Sequence, residues 1–106
     1  DSAAQFNLAL TLGSEPAEQI AAFGRAIELD PDMVAAYESL GAALYTAGRQ
    51  QEATETFRKG LMVDPLSAKL NYNLGLILMQ QGEKAEGERR MELAQKADAS
   101  TGGKRQ

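Results

Sequence analysis

A 34-residue period constrains this chain more than any other feature, because a chain that repeats at that spacing buries its apolar faces unit against unit. Asp30-Pro31 and Asp64-Pro65 lie 34 apart, and Asp98-Ala99 falls at the next interval. Leu40, Gly41, Leu44 and Gly48 recur as Leu74, Gly75, Leu78 and Gly82. Phe23 is echoed by Phe57 and then Met91, and Glu18 by Glu52 and then Glu86. Several independent matches at one period are hard to obtain by chance.

Each unit reads as two helices. Tyr37, Leu40, Gly41, Leu44 and Tyr45 lie at i, i+3, i+4, i+7 and i+8, one helical face. Gly48 ends that helix, since glycine tolerates the left-handed conformation. Ala53, Phe57, Gly60 and Leu61 form the face of a second helix, which stops at Asp64-Pro65 because proline disfavours helix in the residue before it. In the third unit Ser67 caps a helix over about 68–81. Gly82 ends it, and a last helix runs over about 84–97. The first unit is less regular. Ser2 with Gln5 fits a capping box. The first helix carries Phe6, Leu8, Ala9, Leu10 and Leu12 and closes at Gly13. Ser14 caps the next, with Pro16 in its first turn and Ile20, Phe23, Ala26, Ile27 and Leu29 on it.

The 106 residues suit one domain, with repeats over about 2–31, 32–65 and 66–99 and a flexible tail over 100–106. Leu and Ala dominate the apolar residues, which favours helix over strand. Cysteine and histidine are absent, so disulfides, thiolate nucleophiles and a Ser-His-Asp triad are excluded. No apolar run approaches the ~20 residues of a membrane span. No signal peptide is visible, and Asp1 in place of Met suits a processed product or an excised fragment. The chain reads as soluble, and its compartment stays open between cytoplasm and periplasm. A net charge of −4 argues against nucleic acid as a partner. The charge is polarised. Residues 1–68 carry ten acidic and four basic side chains (net −6), and residues 69–106 carry five and seven (net +2). Either this is a solvated surface with chance clustering, or the molecule stacks head to tail or steers a charged partner.

With these residues in place the chain resembles three tandem tetratricopeptide repeats over about residues 2–99. The second unit carries the family pattern in Tyr37, Leu40-Gly41, Leu44, Gly48, Ala53, Phe57 and Pro65. Gly60 departs from the family's alanine, at ~1 kcal/mol for an interior glycine. The third unit matches at Leu74-Gly75, Leu78, Gly82, Met91 and Ala94, with Asn71 for the aromatic, Gly87 for alanine and Ala99 for proline. The first matches at Phe23, Ala26 and Pro31. The resemblance implies an all-α, right-handed superhelical solenoid of about six helices in antiparallel pairs. Gly41 and Gly75, inside helices, then imply close approach of a neighbouring helix.

The last helix reads as an end. Ile27 and Leu29 recur as Leu61 and Val63, but the third-unit counterparts are Gln95 and Ala97, the polar outer face of a terminal repeat. The first helix is apolar on several sides and suits cover by an upstream repeat or a second copy of the chain.

Nothing in the sequence supports catalysis, a metal or a cofactor. Glu83, Glu86 and Glu88 lie among Lys84, Arg89 and Arg90, a salt-bridged face. Asp30-Pro31-Asp32 lacks the later ligands of a calcium loop. The tail "GGKR" lacks the first glycine of a phosphate loop.

Binding is better supported. The resemblance implies that first helices line a concave groove. Residue by residue it places Ala35, Glu38, Ser39, Ala42, Tyr45 and Thr46 there from the second unit, and Lys69, Tyr72, Asn73, Leu76, Met79 and Gln80 from the third. If "FNLA" aligns with "YNLG", Phe6, Asn7 and Leu10 join them, at the expense of a two-residue deletion before Ile20. In related repeats an asparagine at the place of Asn73 holds a peptide backbone, for which its donor and acceptor suit it. Its alternative is an intrachain hydrogen bond or solvation. Leu76 and Met79 form an apolar floor or pack in the core. The subtype that grips a C-terminal carboxylate is matched poorly, since Glu38, Ser39, Ala42 and Leu76 stand where it uses basic or amide groups. The expected function is a non-enzymatic interaction module that binds a peptide or helix of another protein, with self-assembly through the first helix as the alternative.

Overall fold

The computed structural model describes residues 1–11 and 16–103. Six helices follow one another: α1 Ser2–Thr11, α2 Pro16–Leu29, α3 Val34–Thr46, α4 Gln50–Val63, α5 Ala68–Gln80 and α6 Lys84–Gly103. Each helix packs on the next, and α3 also touches α5, so the first helices of the second and third units lie side by side. The expected stop at Gly13, the Ser14 cap and Leu12 lie outside the described residues, as do 104–106.

The turns are built by the residues that mark the period. Asp30 Oδ1 accepts the N–H of Asp32, and Asp64 Oδ1 that of Leu66, each at 3.2 Å. These matching aspartate turns re-aim the chain after each second helix. Gly48 and Gly82 take φ of 82° and 84° after α3 and α5. There the N–H groups of Arg49 and Glu83 reach back to Leu44 and Leu78 carbonyls at 2.8 Å, closing the helix ends.

Ser67 caps α5 as expected, accepting the Leu70 N–H at 3.2 Å. The start of α1 differs from the expected capping box. Asp1 is the capping residue, and its Oδ1 accepts the Ala4 N–H at 2.8 Å. Gln5 instead accepts from Arg25 Nε at 2.9 Å. A carboxylate cap also complements the helix dipole, which a serine does not. Asp1 therefore stands in α1 where Ser67 stands in α5, which places "FNLA" over "YNLG". The last helix continues past 97 to Gly103. Ala99 replaces the proline that ends earlier units, so nothing there breaks the helical hydrogen bonds.

The main core lies at the junction of the second and third units. Tyr37, Leu44, Phe57, Leu61, Leu70, Leu74, Ile77 and Leu78 bury one another, with Leu40 packed against them. A smaller cluster sets Phe6 on Phe23, ring centroids 5.5 Å apart and tilted by 56°, close to a favoured aromatic geometry. Phe6 is thus drawn to packing rather than to the groove expected from the alignment.

The in-helix glycines mark close crossings. A Cβ on Gly41 would lie 2.6 Å from Phe57 Cζ. On Gly75 it would lie 2.9 Å from Met91 Sδ and 3.1 Å from the Gly87 carbonyl. A Cβ on Gly87 would lie 2.8 Å from Met79 Sδ and 3.2 Å from the Gly75 carbonyl, so α5 and α6 cross glycine on glycine. Gly60 has the same reason to depart from alanine: its Cβ would sit 2.8 Å from both Leu70 Cδ1 and Tyr37 Cβ.

Candidate interaction site

The helical stacking brings some of the expected groove residues together and separates others. Between α3 and α5 lies a recess of about 160 Å³ lined by Ala42, Tyr45, Thr46, Phe57, Asn73, Leu76 and Ile77. Five of these were expected from the sequence. Phe57 was read as part of a packing face and Ile77 was not singled out, yet they form the floor where the absent Cβ of Gly41 lets the ring come up close to α3. The period itself carries that signal, since Phe57 recurs with Phe23 on the second helix of each unit.

The rim is polar and partly braced. Tyr45 donates to Gln80 Oε1 at 2.9 Å, joining α3 to α5. Tyr45 is 37% exposed, and Leu76 and Met79 are each 38% exposed, so all three offer surface to solvent and none is sealed in the core. Met79 also leans on Gly87 and supports the α5–α6 crossing. A volume of 160 Å³ falls below the ~300 Å³ at which small-molecule sites begin, so the recess suits one apolar side chain of a longer ligand.

The other expected residues lie elsewhere. Glu38 is half-buried and accepts from Ser67 Oγ at 3.3 Å, which ties α3 to the start of α5. Lys69 and Tyr72 line a separate recess of about 370 Å³ with Ala68, Ala94 and Gln95, between α5 and α6. Asn7 is exposed on α1. A further recess of about 300 Å³ separates α2 from α3 and includes Gln19, Phe23, Ser39 and Thr46. Ala42 lines this recess as well as the first.

The charged face on α6 is an ion-pair cluster. Glu86 bridges α6 to α4 through two bonds to Arg58, at 2.7 and 3.1 Å, and approaches Arg90 at 3.4 Å. The Arg58 hydrogen bonds hold the Glu86 carboxyl below its ordinary value, against the partial burial that opposes them. Arg90 also donates to the wholly buried Asn71 Oδ1 at 3.2 Å. Sequence reasoning noted Asn71 only as a missing aromatic. Among the described residues, no cluster of three or more metal-ligating side chains occurs, and no helix is long and apolar enough to cross a membrane.

Comparison with known proteins places this geometry. Two models described as "Tetratricopeptide repeat" match residues 3–61 and 68–101. A curated relative, "Small glutamine-rich tetratricopeptide repeat-containing protein 2" of Mycosarcoma maydis, is 44% identical over 50 residues, which make up 47% of this chain and 14% of that protein. Among solved structures, MamA superposes with a TM-score of 0.89 at 22% identity, over 97% of this chain and 61% of MamA. The Yersinia enterocolitica type III secretion chaperone SycD, solved with a peptide of the translocator YopD, superposes at 0.83 with 24% identity, over 90% of this chain and 74% of SycD. This chain thus spans a small part of the curated relative and under two thirds of MamA.

Proposed function

Because this chain belongs to the tetratricopeptide repeat family, we propose that it is a protein–protein interaction module that takes a peptide or helix of another protein along the groove between α3 and α5. The observation that carries this reading is the recess under Tyr45 and Leu76, an apolar socket with Asn73 at its edge. Leu76 and the Phe57 ring would take one apolar side chain of the ligand. The Asn73 amide offers a donor and an acceptor to the ligand backbone, which holds an extended chain without reading its side chains. The SycD structure supports the reading, as a like-folded protein that is solved with a bound peptide.

Selection of displayed random peptides on the intact chain, followed by calorimetry, tests the proposal. The selected peptides should share an apolar anchor. Asn73→Ala with Leu76→Arg should weaken them at least about tenfold, while unfolding free energy stays within about 1 kcal/mol, as for a surface change. Peptides that bind both proteins equally would refute the groove reading. A large loss of stability would assign the two residues to the core.

A further inference from the structure

The recess between α5 and α6 has a counterpart inside the molecule. Thirty-four residues earlier, the equivalent surface of α3 and α4 receives the start of α5. There Glu38 takes the Ser67 hydroxyl, and Leu70 fills the space over Gly60. On the surface of α5 and α6 the equivalent positions are Tyr72 for Glu38 and Ala94 for Gly60. Lys69 lines the same recess, and both it and Tyr72 are exposed.

We propose that this chain stacks head to tail on a second copy of itself, with α1 of one copy seated in the α5–α6 recess of the next. Two observations fit α1 to that place. First, Asp1 caps α1 as Ser67 caps α5, so a docked Asp1 carboxylate faces Tyr72 and Lys69. Donor and acceptor have changed sides: inside the chain an acid accepts from a hydroxyl, and at the ends a hydroxyl and an ammonium meet an acid. Second, Ala4 stands where Leu70 stands, and Ala94 where Gly60 stands. The added Cβ on one side is offset by the shorter side chain on the other. The first junction already contains such a pair in Ala26 and Ala36, both wholly buried. Gln95 and Ala97 replace the apolar Leu61 and Val63, which makes this contact weaker than an internal junction. It is therefore a reversible one.

A head-to-tail contact does not close at two copies, so mass should climb without a plateau at the dimer. Sedimentation of the intact chain from about 10 μM to 1 mM should show this, with less association as salt rises. Ala4→Arg blocks the head and Lys69→Glu the tail, both at exposed positions that leave the fold intact. Each variant by itself should stay at 11.4 kDa. Mixed, a free tail meets a free head, and mass should rise to twice that value and stop. Wild-type chain that stays at 11.4 kDa throughout would overturn the proposal, as would a mixture that fails to pair or variants that associate as before.

Discussion

Tyr37 and Asn71 occupy the same position in successive units, and each satisfies the same backbone group. The Tyr37 hydroxyl donates to the Pro31 carbonyl at 2.7 Å, and the Asn71 amide to the Pro65 carbonyl at 3.0 Å. In both units a side-chain donor thus ties the turn before the first helix to that helix. The second unit supplies it at the end of a ring that also fills the core. The third supplies it from a short amide, which donates to the Ser67 carbonyl as well, at 3.1 Å. Arg90 approaches its oxygen, where the second unit has the small Thr56. The same backbone contact has thus been made by two different packings, and in the third unit Arg90, which also reaches Glu86, lies against the smaller side chain.

The sharpest way to break this comparison is to write one solution over the other. Asn71→Tyr forces a ring against Arg90 and should lower the free energy of unfolding by about 2–3 kcal/mol in urea titration. Adding Arg90→Thr, which copies the second unit's pairing, should recover more than half of that loss. Additive losses in the double variant would mean that the two positions do not share one volume.

A smaller effect isolates the hydrogen bond. Tyr37→Phe keeps the ring and removes the donor to Pro31, and thermal unfolding should report about 1 kcal/mol of lost stability. No change would mean that water replaces the hydroxyl.

The smallest effect belongs to the ion pair. Arg58 holds the Glu86 carboxyl below its ordinary value in the folded chain. Its contribution is therefore complete above the unfolded value, 4.5, and is lost as pH falls through the lower folded one. Arg58 is 43% exposed, so only tenths of a kcal/mol are at stake, on the scale of about 0.2–1 for solvated pairs. Glu86→Gln should flatten the acid limb of stability below pH 4.5 by that amount, as followed by chemical unfolding at several pH values. An unchanged acid limb would show that the pair is fully screened.

Much of the architecture was legible from the residues alone. The 34-residue period, the glycines after α3 and α5 and the Asp-Pro turns located the helices, because each acts through its own backbone. The in-helix Gly41 and Gly75 announced close packing for the same reason: an interior glycine without a tight neighbour is a plain loss. The site was less legible. Lys69 and Tyr72 lie on the same helix as Asn73 and Leu76, yet they line a different recess, because the surface of α5 is divided between α3 on one side and α6 on the other.

The sequence by itself determined the number of repeats, the helical content and the positions of the turns, since these follow from local propensity and from a periodicity that any stacked arrangement must respect. Only the tertiary structure decided that Asn71 is wholly buried and that Gly60 and Gly87 are crossings. Each of these depends on which atoms of another turn, or of another helix, come within 3 to 4 Å. That distance is set by the joint packing of all six helices and by no single residue.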